Sequence, residues 1–224
     1  MTAWVGSTFC QTLPYSPPQE VVQLAAQGSV EVQQDLLSIS MNTTREAADA
    51  ATVQNQLKAA LDAALAEARR TAQPGQMDVR TGNFSLSPRY DRSGKISGWQ
   101  GSAELVLEGR DFARISAAAG KIQTLTMGDV TFGLSREQRA RVQDQAQAMA
   151  IDQFKARALE IAKGFGFAGY TLREISVNAN DQGVSPRPRM MAMEAKAAMS
   201  DAPVPVQAGR STVLVTVSGT VQLK

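Results

Sequence analysis

Residues 158–180 read ALEIAKGFGFAGYTLREISVNAN, and the order of their parts decides the fold. Ala158, Ile161 and Ala162 continue a helical apolar stripe. Gly164 and Gly166 end it, as glycines do at helix C-termini. Leu172, Ile175, Val177 and Ala179 then follow in an extended stretch. The letters Gly164-Phe-Gly166-Phe-Ala-Gly169 fit GxGxxG, but a dinucleotide fingerprint needs those glycines after a strand and before a helix, where free N–H groups meet phosphate. Here the polarity is reversed. The glycines are helix terminators, and nothing points to a doubly wound parallel sheet.

Upstream of this stretch, Ser135 with Gln138 makes a capping-box pattern. Val142, Ala146, Met149, Ala150, Phe154, Ala158 and Ile161 predict one apolar face on a long helix ending near Lys163. Downstream, Val213, Val215, Val217, Gly219, Val221 and Leu223 alternate with Thr212, Thr216, Ser218 and Thr220, a half-buried strand. The segment between, 181–209, holds four prolines and four methionines with no stable period. It is expected to be a long mobile loop.

The first half follows similar rules. Val21, Val22 and Leu24 open a strand, Gly28 suggests a turn or bulge, and Val30 and Val32 resume the alternation. Gln33 to Asp35 breaks it, as a bulge would, before Leu37, Ile39 and Met41. Thr43 with Glu46 suggests a capping box for a helix over 44–72, whose stripe runs through Ala50, Val53, Leu57, Leu61, Ala64, Leu65 and Ala68. Residues 76–89 and 95–109 predict a strand pair around a turn at 91–94. Residues 111–119 predict a short helix, with an extended stretch from Ile122 to Leu134.

These elements predict an α+β fold, with antiparallel sheets and two long amphipathic helices packed on one face. The strand-helix-strand order occurs twice, dividing the chain into units of about 21–109 and 110–224 behind a flexible tail, 1–20, broken by Pro14, Pro17 and Pro18.

Composition excludes more than it assigns. The 224 residues are 43% apolar and 20% charged, the balance of a globular protein with a core. The chain contains no histidine, which removes Ser-His-Asp and Cys-His catalysis and all His-based metal sites. A net charge of +2 and 5% aromatics offer no basic stripe or stacking platform for nucleic acid. The single cysteine, Cys10, can form neither an internal disulfide nor a CxxC pair. No run reaches the ~20 apolar residues of a transmembrane helix. Residues 1–10 lack the basic and apolar regions of a signal peptide.

The remaining candidate sites are weak. Asn178, Asn180, Gln182 and Gly183 resemble a calcium loop on paper, but position one is Asn178 where Asp is needed, and position twelve is Arg189 where Glu is needed. Met190, Met191, Met193 and Met199 could offer thioethers to a soft metal. Without nearby Cys or His they read better as an adaptable packing segment. Arg187, Arg189, Met190, Met191 and Met193 are therefore candidates for a partner-contact loop. Asp49, Asp62 and Glu67 fall on the first long helix, where they solvate its outer face. No catalytic residue, metal ligand or cofactor is expected.

The order just described is an alanine-rich helix, glycine, a strand, PRPRMMAM, an Ala/Pro-rich gap and AGRSTVLVTVSGTVQL. With VVQLAAQGSVEVQQDLLSISM and the helix from Thr44 to Arg70, it resembles the SIMPL-domain family of bacterial envelope proteins over about 21–223. The resemblance implies a non-enzymatic periplasmic protein whose signal lies outside these residues. It also implies homo-oligomeric assembly, envelope association and a link to oxidative-stress defence. It carries over no catalytic residue. A ligand- or peptide-binding module is the alternative, and a histidine-free hydrolase a third.

Overall fold

The computed structural model describes residues 19–180 and 208–224. Its elements are β1 (Val21–Gln33), β2 (Leu36–Ala47), α1 (Ala50–Arg69), β3 (Asp78–Tyr90), β4 (Ile96–Gly109), α2 (Phe112–Lys121), β5 (Thr126–Gly133), α3 (Arg136–Gly164), β6 (Tyr170–Asn180) and β7 (Arg210–Leu223). The strands form two antiparallel sheets, ordered β3-β4-β2-β5 and β1-β7-β6, so the α+β expectation holds. The sheets do not divide the chain at residue 110, because β5 pairs with β2, from Leu36↔Gly133 onward. The described residues fall instead into two compact units.

The larger unit comprises Ser29–Ala146 with 208–214. Its core lies where α1 and α2 meet one face of the four-stranded sheet. Leu37, Ile39 and Met41 of β2, Leu105 and Leu107 of β4 and Ile115 of α2 are closed off from solvent. The strand residues among them occupy alternate positions, as the period-two reading requires. On α1, Val53, Leu57, Ala60, Ala64 and Ala68 are buried at spacings of three and four. Gly101 lets that helix approach: a Cβ there would lie 2.8 Å from Leu57 Cδ1 and 2.7 Å from the Ser85 carbonyl. The opposite sheet face is polar, with Arg80 facing Glu108, Arg89 paired to Glu46, and Ser85 bonded to Ser102.

The smaller unit comprises Gln147–Asn180 and Val215–Lys224 with the described residues up to Gly28. Ala150, Phe154, Ala158 and Ala162 of α3 are buried, a strict spacing of four. Leu24 and Ala26 of β1 and Val215, Val217, Val221 and Leu223 of β7 are buried too. The helix ends in a Schellman motif: Phe167 N–H donates to the Ala162 carbonyl at 2.9 Å and Gly166 N–H to Lys163 at 3.0 Å. Gly166 has a φ of 84°, a left-handed conformation that suits glycine.

Several expectations are corrected. Thr43 and Glu46 do not cap α1. They lie in β2, where Thr43 is buried opposite Ala103, and the strand ladder outcompetes the local cap. Asp49 is the cap: its carboxylate accepts the Thr52 N–H and hydroxyl, each at 2.8 Å. The helix is accordingly Ala50–Arg69, not 44–72. Gly28 makes no turn; it is buried inside an unbroken β1. Met149 is not inward but 45% exposed, because the buried stripe advances by four residues and passes it by. The break at Gln33 to Asp35 is the passage of the chain from one sheet to the other.

Candidate functional site

Two features of the described residues offer something beyond a packed core. One is a polar junction in the larger unit. The alternation of β1 stops at Gln34, and β2 begins at Leu36. Asp35 N–H donates to the Gly133 carbonyl at 3.0 Å, which brings the Asp35 side chain to the start of α3. Its carboxylate accepts the Ser135 N–H at 2.7 Å and the Ser135 hydroxyl at 2.6 Å. The Ser135 Oγ in turn accepts the Gln138 N–H at 3.3 Å and Arg110 Nη2–H at 2.8 Å. Arg110 also pairs with Glu137 and lies 3.6 Å from Asp35. The Ser135/Gln138 cap is thus present in half. Gln138 supplies its N–H, while Asp35, a hundred residues away, takes the Ser135 N–H that the box assigns to residue 138.

Beside this junction is an open cleft of about 330 Å³, lined by Leu36, Asp78, Glu108, Arg110, Arg136 and Glu137, among others. Its volume is at the small end of ligand pockets. Its charges are mixed: Arg110 pairs with Glu137 within the lining, and Glu108 faces Arg80 outside it. The Ser135 hydroxyl donates to the Asp35 carboxylate and accepts the Gln138 N–H, so its hydrogen bonds hold the start of α3. Among the described residues, no three His, Cys, Asp or Glu side chains converge to hold a metal.

The perturbed carboxylates are structural. The Thr52 amide and hydroxyl hold the Asp49 carboxyl below the usual carboxylate range. At the β3–β4 turn, the Ser93 hydroxyl and the Lys95 amide do the same for Asp91. At the start of α2, the Arg114 amide and side chain lower Asp111. Each accepts hydrogen bonds at a cap or turn, which favours the charged form. None lines the cleft.

The second feature is the surface of β6. Every residue from Thr171 to Ala179 is exposed. Leu172 is 51% exposed, Ile175 46% and Val177 45%. The same unit exposes Phe165 just past the end of α3. The sequence reading of this stretch as extended holds; Leu172 stands on one face of the strand and Ile175 and Val177 on the other.

The partner-contact candidates Arg187, Arg189, Met190, Met191 and Met193 lie outside the described residues, as do Met199 and Cys10. Of the calcium-like stretch, Asn178 is an exposed β6 residue whose Nδ2–H donates to Ser176 Oγ at 3.2 Å. Asp62 is exposed on α1, and Glu67 pairs with Arg70 at 2.9 Å.

A family model described as a protein of unknown function, SIMPL (DUF541), matches residues 22–221. The chain belongs to the SIMPL family. No curated protein matches it. The SIMPL match takes in every described strand and helix but for the outermost residues of β1 and β7, and it includes β6 and the polar junction. Sequence reading missed the junction of this SIMPL chain because Asp35, Arg110 and Ser135 are far apart along it. The local signals were the broken alternation at Gln33 to Asp35 and the Ser135/Gln138 capping pattern. No helix among the described residues is long and apolar enough to cross a membrane.

Proposed function

We propose that this SIMPL chain is a non-enzymatic, self-assembling protein of the bacterial periplasm, acting in the envelope's defence against oxidative stress. The exposed apolar strand β6 carries the assembly part of the reading. Exposed apolar side chains such as Ile175 and Val177, which share one face of the strand, favour association, since covering them removes apolar area from water. The lack of histidine in the sequence and the self-satisfied charges around Ser135 support a non-enzymatic role. The compartment and the stress link rest on the family resemblance.

Light scattering over a wide range of protein concentration tests the assembly. A mass that is a multiple of 23.9 kDa is expected, and a monomer throughout overturns it. Fractionation of cells making the native gene product tests the compartment. Recovery in the periplasmic fraction is expected, and recovery in the cytosol overturns it. Peroxide killing of cells lacking the gene tests the stress role. Killing is expected to exceed that of the parent, and equal killing overturns that role.

A second reading, a ligand- or peptide-binding module, draws on the cleft beside Arg110. Its test is a thermal-shift panel of metabolites and peptides against the protein and against Arg110→Ala. A stabilisation lost in the variant favours it.

A further inference from the structure

The edges of the two sheets differ. β3, an edge of the four-stranded sheet, carries Pro88, two arginines and a register shift between Thr81 and Phe84. β5, the other edge, is only eight residues long and also meets its neighbour with a register shift. These are the devices that keep edge strands from pairing with other chains. β6 is built differently. It is one of the two terminal strands of β1-β7-β6, eleven residues long, without proline or lysine; β1, the other, also lacks both but buries Leu24, Ala26 and Gly28. Its two charges, Arg173 and Glu174, are adjacent and opposite in sign. Its central residues are all exposed, with Leu172, Ile175 and Val177 among them.

We propose that β6 pairs antiparallel with β6 of a second copy, with Ser176 facing its own copy across the two-fold axis, making one sheet continuous across two chains. This rests on the self-assembly reading and names its surface and register. A two-fold axis perpendicular to a sheet passes midway between the two copies of one residue and sets that residue opposite itself. An axis through Arg173 opposes two arginines and one through Glu174 opposes two glutamates, both unfavourable. An axis through Ile175 puts Arg173 opposite the partner's Val177. An axis through Ser176 puts Ile175 opposite the partner's Val177, and by symmetry Val177 opposite the partner's Ile175. Glu174 then faces the partner's Asn178, and Arg173 the partner's Ala179. This register opposes no like charges, and it alone of the four joins two Ile–Val pairs.

The test uses the full chain carrying Cys10→Ser. Directly opposed residues of antiparallel strands have Cα atoms ~4.5–5.5 Å apart, within disulfide reach, and diagonal neighbours lie at ~7–8 Å, beyond it. Ser176→Cys is therefore expected to run at twice the monomer mass on a non-reducing gel after mild oxidation. Ile175→Cys is expected to stay monomeric there, and Ile175→Cys combined with Val177→Cys to cross-link. Ile175→Lys, at an exposed position, is expected to lower the light-scattering mass while its circular dichroism stays native. An assembled protein in which neither Ser176→Cys nor the double variant cross-links overturns the β6 contact and leaves self-assembly standing. Cross-linking of Ile175→Cys by itself overturns the register. A monomeric parent overturns both readings.

Discussion

Asp35 and Ser135 are a hundred residues apart in sequence, yet one carboxylate takes both the N–H and the hydroxyl of the serine, at 2.7 and 2.6 Å. The pair starts α3 and fixes where β2 begins. Ser135→Ala removes the cap to Gln138, the bond from Arg110 and one of the two bonds to Asp35. The expected cost is about 1–2 kcal/mol, the range for losing a serine cap. Urea denaturation, with the midpoint falling at an unchanged slope, checks it.

Gln34 makes a second long-range clamp. Its backbone N–H donates to the Gly209 carbonyl at 3.0 Å, and its side-chain oxygen accepts the Gly209 N–H at 3.1 Å. Its amide nitrogen donates to Ser211 Oγ at 3.0 Å. Gln34 is 9% exposed, so Gln34→Leu leaves the Gly209 amide without its side-chain acceptor. Gly209 is half-buried, so the expected loss is about 0.5–1.5 kcal/mol, the net worth of a hydrogen bond. Faster amide exchange at Gly209 is the specific readout.

Asp49, Asp91 and Asp111 all titrate below the usual carboxylate range because backbone and side-chain donors hold their charged forms. A group whose pKa is depressed on folding stabilises the fold above its unfolded pKa, and that contribution fades as pH falls through the folded value. Stability is therefore expected to fall as pH drops below the ordinary aspartate range, by a contribution that the asparagine variants lack. Asp49→Asn keeps a good capping side chain while removing the titration. Its stability-against-pH curve should be flatter in acid than the parent's, and an identical slope would contradict the assignment.

Two glycines make opposite demands. Gly166 needs its left-handed φ, so Gly166→Ala is expected to cost about 1 kcal/mol through backbone strain alone. Gly101 needs its missing side chain. Gly101→Val would press on Leu57 and on the Ser85 backbone, with an expected cost of about 1–3 kcal/mol from overpacking. Thermal melts of the two variants should differ accordingly, with Gly101→Val the lower.

Where one local rule governed, the sequence was legible. Period-two alternation located β4 and β7, and paired glycines located the end of α3. It misled where a local rule met a stronger distant one. Thr43 and Glu46 spell a cap, but the ladder with β4 claims them, and Asp49 does the capping instead. Met149 fits a stripe drawn loosely at three and four, whereas the buried stripe advances by four. The junction around Ser135 was out of reach because its partners come from residues 35, 110 and 137. The apolar residues of β6 were visible, but periodicity reports only which side chains share a face, not whether anything covers it.

Gln34 and Asp35 are neighbours on the chain, yet each waits for a segment far from it: 175 positions away for Gly209 and 100 for Ser135. Closing loops of that size costs entropy before any bond is gained, and chains dominated by such remote pairings fold slowly, in the range of milliseconds to seconds. The dipeptide at which the chain leaves one sheet for the next is thus expected to lock late in refolding. The order of events along the folding path then differs from the order of the sequence: hairpins such as β3–β4 close early, and the Gln34–Asp35 crossing closes last.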